Sequence, residues 1–192
     1  MYWAVRDLSD FSPQALEEIY RNLSPSRKAH IDRLQHHEDK KRSLAAEALA
    51  LHLLQENYDI SAAKLHRKDS GQPYLTGCSL FISLSHSEQK VACAVSSVPV
   101  GIDIQHIRPV RQTLIRRVCV AEEADYVLAG IKLPEEPFCY DPAVLHRFFE
   151  IWTGKEAYFK KHGTGITDFQ AVNTLLLPRQ THIAEDYVTQ IV

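Results

Sequence analysis

Residues Phe148–Ile166 read FFEIWTGKEAYFKKHGTGI. They close a run that predicts a long helix from Pro142 to Lys161, with a proline in its first turn and Gly163 just past its end. Trp152, Glu156 and Lys160 are four residues apart and share one helical face, so Trp152 should pack while Glu156 and Lys160 project together. An ordinary surface ion pair, worth only a few tenths of a kcal/mol, would account for the last two alone. Gly154 argues for more, because glycine inside a helix costs about 1 kcal/mol and points to close approach by another backbone or by a ligand.

Upstream, Val100–Ile104 begins a strand after Pro99. In GIDIQ, residues 101–105, the period of two sends Ile102 and Ile104 to one face and Asp103 and Gln105 to a cleft. Oxygen ligands spaced this way suit a hard cation such as Mg²⁺, although a plain wet strand face is commoner. Further back, LFISLSHSEQKVACAV predicts a hairpin around a polar turn at Ser85-His86-Ser87-Glu88, and Asp69–Pro73, DSGQP, is a turn cluster. The run Lys40–Glu56 is rich in Ala and Leu without Gly or Pro and predicts the second long helix. Ser12–Leu23 opens with Ser-Pro and has helical spacing, and Met1–Val5 alternates as a strand would. Val110–Cys119 and Ala121–Leu128 read as helices, and the tail has β-prone runs at AVNTLLL and YVTQIV.

The 192 residues, 45% hydrophobic, can bury a core as one domain or two tightly joined halves, with a half-boundary near Ser96–Pro99. Twenty-two Lys and Arg against 24 Asp and Glu leave a formal charge of -2, which attracts neither nucleic acid nor an anionic membrane, so any anion needs a local basic pocket. MYWAVRDLSD lacks a basic stretch followed by a long apolar run, and no later segment is apolar for long enough to span a bilayer, so a soluble protein is expected. Four scattered cysteines without a C-x-x-C pair read as reduced thiols of a cytoplasmic protein.

His86, between two serines at the expected hairpin tip, suits an anion contact or a solvated loop histidine equally. The basic stretch from Arg27 to Arg42 would commonly be a solvated helix face, and a multiply charged anion is one reason to collect it.

Taken in order, HHEDKKRSL, SGQP, LSHS, GIDIQ and FFEIWTGKEAYFKKHGTGI resemble the Sfp-type 4′-phosphopantetheinyl transferases of the holo-acyl-carrier-protein synthase superfamily, from about Ser24 to Phe169. The G-I-D-I and W-T-x-K-E-A-x-x-K motifs are the most specific. The resemblance implies an α+β fold: a pseudo-twofold pair of α/β subdomains, residues 1–97 and 98–192, each a small, mostly antiparallel sheet with a long helix. Coenzyme A would lie in the cleft between them, and the protein would act as a monomer.

By the same likeness Asp103, Gln105 and Glu156 would hold Mg²⁺ against the CoA pyrophosphate. Lys160, and with it Lys155, would neutralise the phosphates. Ser85 and His86 would contact phosphate, Arg27, His30, Arg42 and Ser43 would surround the 3′-phosphate, and Gly71, Gln72 and Pro73 would border the adenine. A serine of an acyl, peptidyl or aryl carrier protein would attack the β-phosphoryl group, with Glu156, alone or through a neighbouring water, as the base. Arg27, His30 and Gln72 stand where many members carry lysine, and Gln105 where many carry glutamate. A catalytically silent protein that binds CoA or carrier is the alternative those departures suggest.

Overall fold

A computed structural model describes residues 1–68 and 70–192, so Asp69 of the expected DSGQP turn lies outside the described residues. The fold is mixed α+β. In chain order it contains β1 (Tyr2–Asp7), α1 (Pro13–Asn22), α2 (Pro25–Arg33), α3 (His37–Tyr58), β2 (Lys64–Arg67), β3 (Pro73–Thr76), β4 (Phe81–Ser87) and β5 (Lys90–Ser96). There follow β6 (Ile102–His106), β7 (Val110–Arg111), α4 (Gln112–Val118), α5 (Ala121–Leu128), β8 (Phe138–Cys139), α6 (Pro142–His162), β9 (Gln180–Ala184) and β10 (Tyr187–Ile191).

Two three-stranded antiparallel sheets organise the chain, in the orders β1-β5-β4 and β6-β10-β9. Helix α3 packs on the first and α6 on the second. β5 is buried on both faces. Val91, Cys93 and Val95 meet Leu49 and Leu53 of α3, whereas Ala92 and Ala94 join a separate cluster with Ile102, Ile104, Tyr187 and Ile191. That second cluster is where the two sheets share a core, which explains why small residues alternate with larger ones along VACAV.

The sheets are also joined by hydrogen bonds. β6 lies at the edge of its sheet, so alternate N–H groups point away from β10. Three serines of β4 accept them: Ser83 Oγ from Ile102 N (3.0 Å), Ser85 Oγ from Ile104 N (3.3 Å) and Ser87 Oγ from His106 N (3.0 Å). Side-chain hydroxyls thus stand in for a neighbouring strand, and buried donors that would cost about 1–3 kcal/mol each if left unpaired are satisfied.

α6 is held at both ends as its sequence requires. Asp141 accepts from Val144 N (3.0 Å) at the start, and Gly163 takes a left-handed φ of 65° at the end. Gly101 lies directly against this helix, because a Cβ there would come within 2.8 Å of Lys161 N and collide with the carbonyl of Ala157. The missing side chain is what lets β6 and α6 approach backbone to backbone.

Two expectations need correction. The hairpin turn is Glu88-Gln89, with Glu88 at φ 47°, so Ser85, His86 and Ser87 are strand residues of β4. AVNTLLL forms no strand. Asp168 and Asn173 accept from Gln170 N (2.8 Å) and Leu175 N (3.1 Å), and these side-chain bonds favour short 3₁₀ turns at Phe169–Ala171 and Thr174–Leu176 over a ladder. YVTQIV, by contrast, is the central strand of the second sheet. Among the described residues no helix is long and apolar enough to cross a membrane, and all four cysteines are free thiols.

Gly101→Ala should destabilise the fold by about 3 kcal/mol, since the clash is with helix backbone that cannot rotate away. Thermal melting would register this as a fall on the order of 10 °C.

Candidate active site at the junction of the two sheets

The carboxylate of Asp103 is the centre of the junction. It is 1% exposed, not solvated as its strand alternation suggested, because α6 covers that face of β6. Its Oδ1 accepts from Ser85 Oγ (2.6 Å) and from Lys160 Nζ (2.5 Å), and its Oδ2 from the Gln105 amide (3.0 Å). Lys160 also donates to Ser85 Oγ (2.8 Å). Ser85 therefore serves the carboxylate and the β6 backbone together, and its hydroxyl is not offered to the cleft as a phosphate contact.

Glu156, one helical turn before Lys160, is half-buried and has no hydrogen-bond or ion-pair partner among the described residues. Burial, then the nearby charge of Asp103, raise its pKa to about 7, against the opposing pull of Lys160. Two carboxylates from distant parts of the chain thus converge on a single ammonium group. The site is short of positive charge, a deficit that a hard divalent cation held by oxygen donors would relieve. Among the described residues there is no cluster of three His, Cys, Asp or Glu side chains suited to a metal, so the third donor at this site would be the Gln105 amide oxygen or solvent.

A cleft of about 310 Å³ runs from this pair to the β2–β3 hairpin, lined by Glu156, Lys160, Gly71, Gln72, Pro73 and Arg67 among others. Gln72 bridges its two sides, accepting from Lys68 Nζ (2.8 Å) and donating to the carbonyl of Lys160 (3.3 Å), where the bare Cα of Gly163 gives it room. His86 has an exposed edge, yet the protein packed around it, then Lys160 and Arg42, lower its pKa. It is a neutral imidazole beside cations, and an arriving anion would favour its protonation.

The basic residues of the first half divide into two groups. Arg27 is buried, with Nε on Glu47 and a terminal nitrogen on Ser43 Oγ (2.6 Å). Arg42 pairs with Asp39 and donates to the carbonyl of Glu88 (3.1 Å). His30 is exposed, and its pKa is lowered by burial of the ring, then by Arg27 and Arg67. Arg67 was not among the residues that the sequence singled out, its one signal being its place just ahead of the SGQP turn.

Lys155 does not join the cleft. Adjacent residues on a helix point about 100° apart, so Lys155 turns away as Glu156 turns in. Its ammonium is fully buried against Glu123 (2.6 Å) and donates to the carbonyls of Phe169 (2.7 Å) and Val172 (2.6 Å). Glu123 in turn accepts from Val120 N, Thr174 N and Thr174 Oγ1. The neighbour at Gly154 is a side chain and not the backbone or ligand that a glycine in this helix suggested: an added Cβ would lie 3.4 Å from Thr174 Cγ2. This ion pair fastens the 168–174 segment to α5 and α6.

An α+β protein with two acids and a cation at its sheet junction, beside a basic cleft, has the parts of an anion-handling, metal-assisted site. Residues 99–190 match the family described as the 4′-phosphopantetheinyl transferase superfamily. The chain is 29% identical over 155 residues to 4′-phosphopantetheinyl transferase psf-1 of Bacillus pumilus, covering 79% of this chain and 63% of that protein. It is 26% identical over 159 residues to 4′-phosphopantetheinyl transferase Sfp of Bacillus subtilis strain 168, covering 81% and 67%. It is 28% identical over 147 residues to 4′-phosphopantetheinyl transferase gsp of Aneurinibacillus migulanus, covering 76% and 58%. The chain is thus similar to the 4′-phosphopantetheinyl transferases, its second half through the superfamily match and most of its length through these relatives. It spans roughly two thirds or less of the length of these relatives.

Lys155→Met should cost about 3–5 kcal/mol by stranding the Glu123 carboxylate, and adding Glu123→Gln should recover part of the loss. Denaturant unfolding of the single and double variants checks this. A second prediction concerns pH. In metal-free protein Glu156 binds its proton more tightly folded than unfolded, because its pKa rises from 4.5 to about 7. That contribution to stability is complete below pH 4.5 and disappears as pH rises through 7. With chelator present, melting temperatures of wild type and Glu156→Gln from pH 5 to 8 should show the smaller decline in the variant.

Proposed function

We propose that this protein transfers the 4′-phosphopantetheine group of coenzyme A to a serine of an acyl, peptidyl or aryl carrier protein, releasing 3′,5′-ADP. The observation that carries this reading is the meeting of Asp103 and Glu156 around Lys160, at the end of a cleft bordered by Gly71, Gln72 and Pro73. The match of residues 99–190 to the superfamily and the names of the relatives support it. So does the recurrence of a three-stranded sheet and a long helix in residues 1–97 and 98–192, which we take as a pseudo-twofold pair with the ligand between the halves, acting as a monomer.

In this reading Asp103, Glu156 and the amide oxygen of Gln105 hold Mg²⁺. When bound, the ion offsets negative charge on the pyrophosphate and orients it for in-line displacement. The protein's own groups do the rest. Glu156, alone or through a neighbouring water, takes the proton from the carrier serine as its oxygen bonds to the β-phosphorus. The bond from that phosphorus to the bridging oxygen breaks, and the electron pair leaves with 3′,5′-ADP. Lys160, whose side chain is 31% exposed, supplies a cation to the departing phosphate. Ser85 and the β6 backbone hold the Asp103 carboxylate still while this happens. The glutamine at 105 contributes no charge, so the site should hold Mg²⁺ less tightly than one with three carboxylates.

Incubation of apo-carrier proteins with CoA and Mg²⁺ should add a mass of roughly a third of a kilodalton to the carrier. Asp103→Ala and Glu156→Ala should each lower turnover by about a hundredfold or more. Wild-type protein that modifies none of a panel of acyl, peptidyl and aryl carriers would favour a silent binder, and near-normal turnover by either variant would refute the metal assignment.

A further inference from the structure

A second pocket opens in the first half of the chain, among α1, α2 and the start of α3, and it shares no lining residue with the cleft at the acid pair. Its volume, about 650 Å³, is that of a small-molecule site. The floor is the outer surface of the core itself. Leu8, Leu16, Ile31 and Leu44 form it, and Phe11 packs against them. No segment among the described residues covers that floor.

The rim is polar and its charge is unbalanced. Of the charged residues that line the pocket, Glu17 is matched by Arg21 (3.1 Å), which leaves Lys40 and Lys41 against Asp32. The Asp32 carboxylate already accepts from the Tyr20 hydroxyl (2.9 and 3.1 Å), and the ammonium of Lys28, 5.8 Å from the centre of the Tyr20 ring, adds a further positive charge. Glu38 and Asp39, the acids in the first turn of α3, lie by His37 (3.8 Å) and Arg42 and do not line the pocket. Lys40 donates to a carbonyl, that of Asp32 (3.3 Å), while Lys41 makes no hydrogen bond or ion pair among the described residues. Both lysines are half-buried, so each gives up hydration without gaining an anion.

We infer that this pocket binds an amphipathic carboxylate, a medium-chain fatty acid, with its chain on Leu8, Leu16, Ile31 and Leu44 and its carboxylate between Lys40 and Lys41. A ligand apolar throughout would leave the ammonium groups unmatched, and a compact polar anion would leave the floor wet. One apolar hollow with lysines along one side suits one chain carrying one negative charge. The inference does not rest on the function proposed above. Arg42, the next residue on the helix, points about 100° away from Lys41 and donates to the carbonyl of Glu88 on the β4–β5 turn, so Lys41 can be replaced without disturbing that contact.

Titration calorimetry of octanoate, decanoate and 1-decanol, each in monomeric solution, against wild type, Lys41→Gln and Lys41→Arg tests this. Decanoate should bind one-to-one and roughly tenfold more tightly than octanoate, since each further buried CH₂ is worth up to about fourfold. Lys41→Gln should weaken decanoate by roughly fivefold to tenfold and leave 1-decanol within about twofold, and Lys41→Arg should restore most of the loss. Saturating CoA should leave decanoate binding unchanged. Absence of saturable decanoate binding, equal affinity in wild type and Lys41→Gln, or displacement of decanoate by CoA would overturn the inference. Self-association of the wild type in sedimentation equilibrium that Lys41→Gln abolishes would assign the pocket to a second copy of the chain and overturn it too.

Discussion

The three seryl hydroxyls that cross from β4 to the N–H groups of β6 are the constraint on which the rest of the molecule depends. Two sheets that ended in bare edges would expose or bury unpaired donors, and neither is tolerable at a packed interface. Hydroxyls on alternate residues of one strand solve this at the same spacing as the alternate N–H groups of the other. Because the middle serine of the three also donates to Asp103, the seam between the sheets and the centre of the candidate site are one structure. Gly101 completes it from the other side by letting α6 lie on the β6 backbone, which carries Glu156 and Lys160 to Asp103.

The electrostatics of the junction follow from that packing. Asp103 is buried with three hydrogen-bond donors around it, and Glu156 nearby has none among the described residues. The same side-chain chemistry therefore sits in two settings, fully hydrogen-bonded at 103 and, at 156, buried without such partners so that its pKa is pushed up to about 7. A separate buried ion pair, Lys155 with Glu123, holds the far side of α6 and the 168–174 segment, so the helix is clamped on one face while its other face carries Glu156 and Lys160.

Much of this was legible in the chain. The capping residues and length of α6, the Ala- and Leu-rich α3, the hairpin before Pro99 and the alternation in GIDIQ each rest on local rules, and each element formed where those rules put it. The common face of Glu156 and Lys160 is a property of helical period alone. What local rules misjudged were the serines of FISLSHS, taken for a polar turn, and AVNTLLL, whose branched side chains suggested a strand although its backbone is engaged by Asp168, Asn173 and Lys155.

The sequence by itself determined which elements exist, which residues share a face, and which two motifs had to meet. Only the tertiary structure decided which neighbour each face would find. Lys155 and Lys160 are equally basic and sit on the same helix, yet one is sealed against Glu123 and the other reaches Asp103. Arg27, in a basic stretch that read as a solvated face, is buried against Glu47 of the next helix. The reason is that a periodic pattern fixes directions relative to its own axis, while the partner of a charge depends on how distant segments are brought together, and that depends on the packing of the whole chain.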